Sequence, residues 1–133
     1  MDITPDTVAL ITGANGGIGM AIARSLHAAG AKIIVTGRRA DALEPIAKET
    51  GARVILADLA LREDVDRMHE EAGDVDIAVL NAALPGSGHL LEYEASQIDK
   101  VFDVNLRAPV QSARYFGERM AARRRGSIVF ISS

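Results

Sequence analysis

Thr12-Gly13-Ala14-Asn15-Gly16-Gly17-Ile18-Gly19 is the stretch of this sequence best suited to chemistry on a charged ligand. Its glycines let the backbone turn tightly and approach a bulky anion where a Cβ would intrude. The apolar run Val8-Ala9-Leu10-Ile11 precedes it and an amphipathic stretch follows, so the bend joins a strand to the start of a helix. A helix start offers free N–H groups and the positive end of the peptide dipole, which suits a diphosphate. Glycines also serve ordinary turns. Placed between a first strand and a first helix, they favour a dinucleotide's diphosphate held at Gly13, Asn15, Gly16, Gly17, Ile18 and Gly19.

The next candidates follow the second and third apolar runs. A dinucleotide fold that prefers NAD places an acid at the end of its second strand, on the ribose 2′-hydroxyl. Here that strand ends Val35-Thr36-Gly37-Arg38-Arg39, with no acid at the spot. A guanidinium there would pair instead with the 2′-phosphate of NADP. NADP(H) is therefore favoured over NAD(H), although Asp41 is close by and the two arginines could simply solvate a loop. Asp58, with Leu59, ends the third run, where it could face a ligand or begin the next helix. Asn105 has Pro109 four residues later. In a regular helix the N–H of residue 109 serves the carbonyl of residue 105, and proline has none. That carbonyl is expected to hold an ordered water, the alternative being a proline kink without chemistry.

These residues need a scaffold that alternates strand and helix. Val8 to Ile11, Lys32 to Thr36, Arg53 to Ala57, Asp76 to Leu80 and Ser127 to Ser132 read as strands, continuously apolar as in parallel strands covered on both faces. Ile18, Ala21, Ile22, Leu26 and Ala29 form one helical stripe, stopped by Gly30. Asp41 and Glu44 resemble a capping box for a second helix, with Pro45 in its first turns and Gly51 after it. A third helix covers about Arg62 to Ala72, closed by Gly73, and a fourth opens at Ser96 and runs to about Arg125. The pattern predicts an α/β fold with a doubly wound parallel (Rossmann) sheet, one domain over residues 1–133. Ligands bind such sheets at the carboxyl ends of the strands.

Composition narrows the class. Of 133 residues 48% are hydrophobic and 25% charged, ordinary for a soluble globular domain. A net charge of −3 argues against a nucleic-acid partner. Without cysteine there is no disulfide, thiolate nucleophile or thiolate metal site, and no metal site is expected. The start MDITPDTVALITG lacks the features of a secretion signal, and no run reaches the roughly 20 apolar residues of a membrane span. The expectation is a soluble, cytoplasmic protein with no membrane partner.

Together these motifs resemble the short-chain dehydrogenase/reductase family. Thr12, Gly13, Gly17 and Gly19 match its Thr-Gly-x-x-x-Gly-x-Gly. Gly13, Gly16 and Gly19 also fit the spacing of its extended branch, and the later motifs choose the single-domain branch. Asp58 stands where the family hydrogen-bonds the adenine amine. Leu80-Asn81-Ala82-Ala83 is similar to the family's Asn-Asn-Ala-Gly beside the cofactor, departing at Leu80 and Ala83. Phe102-Asp103-Val104-Asn105-Leu106 matches the segment whose asparagine holds a water in a proton relay. Gly126 to Ser133 is similar to the family's fifth strand, which places the catalytic serine at Ser133.

The resemblance implies an oxidoreductase that moves a hydride between a nicotinamide and a small carbonyl or alcohol substrate. Its acid/base is a tyrosine beyond the serine, with a lysine four positions later, and neither is present in these residues. Tyr115 and Tyr93 precede the serine strand and carry no catalytic pattern, and His89 reads as a solvated loop residue. The sequence covers about half the family's usual length, five strands of an expected seven. The chain alone is therefore expected to be inactive, or else a non-catalytic dinucleotide-binding module. A fifth strand left at an edge implies a homo-oligomer or association with a further carboxyl-terminal portion.

Overall fold

A computed structural model of the chain describes residues 1–85 and 88–132. Five short runs form one parallel sheet: β1 (Val8–Thr12), β2 (Lys32–Gly37), β3 (Arg53–Leu56), β4 (Ile77–Leu80) and β5 (Ser127–Phe130). They stand in the order β3-β2-β1-β4-β5. The register sets Thr12 beside Thr36, and Ile11 beside both Val35 and Val79. Starting from β1 the chain winds outward to β3, then returns to place β4 on the other side of β1. That reversal opens a crevice above the carboxyl ends of β1 and β4.

The helices are α1 (Gly17–Ala28), α2 (Ala40–Thr50), α3 (Arg62–Ala72), α4 (Ala95–Phe102) and α5 (Ala108–Arg123). Alternation along the strands feeds two cores, because successive side chains point to opposite faces. Ala9, Ile11, Ile33 and Val35 pack with Ala23 of α1 and with Leu43 and Ile46 of α2. Leu10, Ile34, Ala78 and Leu80 pack with Val65 and Met68 of α3 and with Phe116 and Met120 of α5. The inner strands are covered on both faces, as the apolar runs predict. The edges are not: Val54, Leu56, Val129 and Phe130 are exposed.

Several local expectations need correction. Asp41 and Glu44 do not cap α2. Its N-cap is Arg39, with no side-chain cap, and Asp41 turns back to pair with Arg39. Pro45 is the sixth residue of α2, past the turn where a missing N–H is free of cost, so the carbonyl of Asp41 loses its helical donor. The helix before Asn105 starts earlier than Ser96, because Gln97 Oε1 accepts the N–H of Glu94 at 2.7 Å and fixes that residue as the cap. One long helix is not formed either. Between α4 and α5 the chain widens into a π-turn over Asp103–Arg107, where the N–H of Ala108 reaches the carbonyl of Asp103. Pro109 has no N–H to give carbonyl 105 in an α register or carbonyl 104 in a π register, which accounts for a break at this point.

In the sequence Arg123, Arg124 and Arg125 suit the negative end of a helix as solvated cations, but Arg123, which ends α5, and Arg125 do more than that. Arg123 and Arg125 converge on Asp76 at 3.2 and 3.0 Å, and the other Asp76 oxygen accepts the N–H of Val8 at 2.9 Å. Arg125 also donates to the Thr7 hydroxyl. The starts of β1, β4 and β5 are thereby tied together at the end of the sheet away from the crevice. Burial works against ionisation of Asp76, but the Val8 N–H and the two guanidinium groups outweigh it and hold its pKa below the ordinary carboxylate value. Between α3 and α5, buried His69 meets the Ser112 hydroxyl at 2.8 Å and stacks on Tyr115 at 4.6 Å between ring centres. Burial lowers its pKa. Tyr115 is a packing residue here, with Arg119 over its outer face. Among the described residues no helix is long and apolar enough to cross a membrane, and no cluster of acids and histidines could hold a metal.

Candidate functional site

The crevice contains a cleft of about 500 Å³. Its wall brings together Gly13, Asn15, Gly16, Gly17, Ile18 and Gly19 from the glycine bend, Arg38 and Arg39 from the end of β2, Asp58 and Leu59 from the end of β3, and Asn81, Ala82 and Ala83 from the end of β4. Residues separated by as much as 70 positions in the chain thus share one surface because parallel strands end on the same side.

The glycines fall into two kinds. Gly13 has φ +65°, and a Cβ on it would lie 2.7 Å from Ala82 Cα. A Cβ on Gly19 would overlap the Gly13 carbonyl oxygen and stand 2.8 Å from Ala14 Cα. These two are required by the fold itself, where the bend passes against α1 and β4. Gly17 is different: nothing lies within 4 Å of the place its Cβ would take. It sits in the first turn of α1, which has no acidic residue there and no side-chain cap. The N–H of Met20 is the first to find a helical acceptor, the Gly16 carbonyl. The N–H groups of Gly17, Ile18 and Gly19 are the orphans of the helix start.

Thr12 and Asn81 hold the bend in place. The Thr12 hydroxyl accepts the N–H groups of Asn81 and Ala82 at 2.9 and 3.0 Å. The Asn81 side-chain amide donates to the carbonyls of Thr12 and Gly13, each at 3.2 Å. Ala83, where the resemblance has glycine, lines the cleft without disturbing this pairing.

Asn105 lies in the π-turn and does not line the cleft. Its side chain forms a matched pair with the backbone of Leu84, accepting the Leu84 N–H at 2.7 Å and donating to the Leu84 carbonyl at 2.9 Å. It therefore positions the segment that leaves β4. Asp58 does not begin the next helix, whose N-cap is Leu61. Asp58 Oδ1 accepts the N–H of Ala60 at 3.0 Å in a tight turn, while the residue also faces the cleft. Ser133 lies outside the described residues. His89 is exposed and outside the cleft wall.

Of the cleft-lining residues that escaped the sequence reading, Lys100, Val104 and Thr36 are the informative ones. Lys100 and Val104 line the cleft from the helix side, and their four-residue spacing, one turn of helix, was the available signal. Thr36 also lines it. Its hydroxyl is fully buried and has no hydrogen-bond partner among the described residues, while its carbonyl accepts the N–H of Gly13. A threonine ending an otherwise apolar strand, in register with Thr12, was the clue.

Comparison with known proteins decides the family. The sequence profile described as short chain dehydrogenase matches residues 7–133. The chain belongs to the short-chain dehydrogenase family. Among curated relatives, nodulation protein G of Rhizobium sp. (strain N33) is 41% identical over 131 residues, covering 94% of this chain and 54% of that protein. A metagenomic short-chain oxidoreductase, solved in complex with NADP, superposes with a TM-score of 0.91 at 31% identity, covering all of this chain and 64% of its own. The bulky-bulky ketone specific alcohol dehydrogenase from Comamonas testosteroni gives 0.88 at 30% identity, with 98% and 55% covered. This short-chain dehydrogenase chain thus spans a little over half the length of the curated relative it matches.

Proposed function

We propose that the protein carrying this chain transfers a hydride between a nicotinamide cofactor, NADP(H) in preference to NAD(H), and a small carbonyl or alcohol substrate. The observation that carries the reading is the bare start of α1 beside open space at Gly17, in a cleft that also presents Arg38. The residues suit such a cofactor: orphan N–H groups for a diphosphate, a guanidinium for a 2′-phosphate, and the buried Thr36 hydroxyl, which has no partner among the described residues. The NADP complex of the metagenomic relative supports the same choice.

In this reading Gly17, Ile18 and Gly19 bind the diphosphate through their N–H groups. Asp58 accepts from the adenine amine through its second oxygen, with Leu59 and Val104 forming an apolar wall. Asn81, Ala82 and Ala83 back the central part of the cleft. When bound, the nicotinamide supplies or accepts the hydride. Asn105 keeps Leu84 and the end of β4 in place, and its carbonyl holds a water on the proton path. Ser133 hydrogen-bonds the substrate oxygen. The tyrosine and lysine that the resemblance assigns to proton transfer have no counterpart in these 133 residues, so by themselves they bind cofactor with little turnover.

Titration with NADPH and NADH tests this through the enhancement of cofactor fluorescence, with little protein background because the chain has no tryptophan. Saturable binding is expected, tighter for NADPH, with no consumption of NADPH in the presence of a ketone panel. A folded chain that binds neither cofactor would overturn the proposal.

A further inference from the structure

The two arginines after β2 are not equivalent. Arg38 is exposed and makes no ion pair among the described residues. Arg39 donates through Nε and Nη2 to the two carboxylate oxygens of Asp41, at 3.1 and 2.6 Å. This bidentate fork is the geometry in which a guanidinium grips a phosphate. Asp41 lies in the first turn of α2, whose N-cap offers no side-chain acceptor. Arg39 chiefly, with lesser help from the N–H groups of Ala42 and Asp41, holds the carboxyl below its ordinary pKa against the cost of desolvation. The carboxylate therefore occupies the guanidinium fork that a phosphate would seek at this rim of the cleft.

We propose that Asp41 is an internal competitor for the 2′-phosphate of NADP(H), occupying the guanidinium fork of Arg39 and so limiting how strongly the chain prefers NADP(H) over NAD(H). The inference rests on the dinucleotide reading of the cleft. Arg38 is open to a phosphate from the outset, whereas the Nε and Nη2 edge of Arg39 becomes available only by leaving Asp41. The two partners are 71% and 66% exposed, so the competition is graded and weakens with salt.

The test uses 2′,5′-ADP and 5′-AMP, which differ by the 2′-phosphate alone, in calorimetric titrations of the chain and its Asp41→Asn variant. Asp41→Asn should tighten 2′,5′-ADP about two- to fivefold, the range that release of an exposed ion pair permits, and leave 5′-AMP unchanged. The gain should shrink in about 0.5 M salt. In an Arg39→Gln background Asp41→Asn should change nothing, which separates competition for the fork from a general loss of negative charge. Should Asp41→Asn fail to fold, Asp41→Ser must meet the same expectations. An equal change in both ligands, an unchanged or weaker 2′,5′-ADP, or a gain that persists without Arg39 overturns the proposal. If neither ligand binds the unmodified chain, the dinucleotide reading falls first and the competitor with it.

Discussion

Replacing Gly19 and Gly17 separately by alanine should split stability from binding. At Gly19 the new methyl overlaps the Gly13 carbonyl oxygen and lies 2.8 Å from Ala14 Cα and 2.9 Å from Asn81 Nδ2. Two of these are backbone atoms, so the bend itself must move. Overpacking of this kind costs about 1–3 kcal/mol, and the better helix propensity of alanine returns at most about 1 kcal/mol. The net loss is about 1–2 kcal/mol, or roughly 3–10 °C in Tm for a chain of this size. At Gly17 the methyl meets nothing within 4 Å and φ is not in the left-handed region, so stability should hold or rise slightly. The same methyl enters the space assigned to the diphosphate and should weaken NADPH at least about tenfold, about 1.4 kcal/mol. Thermal denaturation with and without NADPH reads both effects. At a concentration of about 100 times the original Kd, the ligand adds about 2.7 kcal/mol to the unmodified chain and about half that to a variant binding tenfold more weakly. A Gly17→Ala chain that melts as early as Gly19→Ala, or that keeps its full ligand-induced shift, would refute the division.

Arg38→Gln should weaken NADPH severalfold and leave NADH unaffected, measured by cofactor fluorescence; an equal loss of both would remove Arg38 from the 2′-phosphate. Asn105→Ala should lower the melting midpoint by the worth of two hydrogen bonds to Leu84, about 1–2 kcal/mol, and a high-resolution crystal structure should show water on the Asn105 carbonyl, which an intrahelical bond there would disprove. The Asp76 pKa is depressed in the fold, so its contribution is present above the unfolded value of about 3.8 and is lost as pH falls through the lower folded value. Urea melts at descending pH should therefore show the unmodified chain losing stability in that window, while Asp76→Asn, already weaker at neutral pH by about 1.5–3 kcal/mol, loses less there.

The parallel sheet and the strand-end motifs that meet at the cleft were largely legible in the sequence because both follow from the alternation of strand and helix. Unbroken apolar runs between glycine-closed amphipathic stretches admit few arrangements other than a parallel sheet, and motifs at strand ends must then converge. What could not be read was the choice between local partners. Asp41 had Glu44 at capping distance and Arg39 two residues back, and a guanidinium fork won over an unformed cap. Arg123 and Arg125 read as dipole-compensating cations, because their partner Asp76 lies more than 45 residues away and joins them only when β4 and β5 pair. The proline at 109 was correctly associated with disruption near Asn105, yet spacing alone does not reveal that the chain accommodates it by a π-turn or that the Asn105 side chain grips Leu84.

Because Thr12 and Asn81 clamp the bend to the neighbouring strand, its shape is set before anything arrives. Association then carries no entropy penalty for ordering that loop. Encounter should be governed by diffusion and orientation rather than by a slow rearrangement. Amide hydrogens at Asn81 and Ala82 should already be protected from exchange with solvent in the free chain, since their acceptor is a hydroxyl of the scaffold and owes nothing to the visitor.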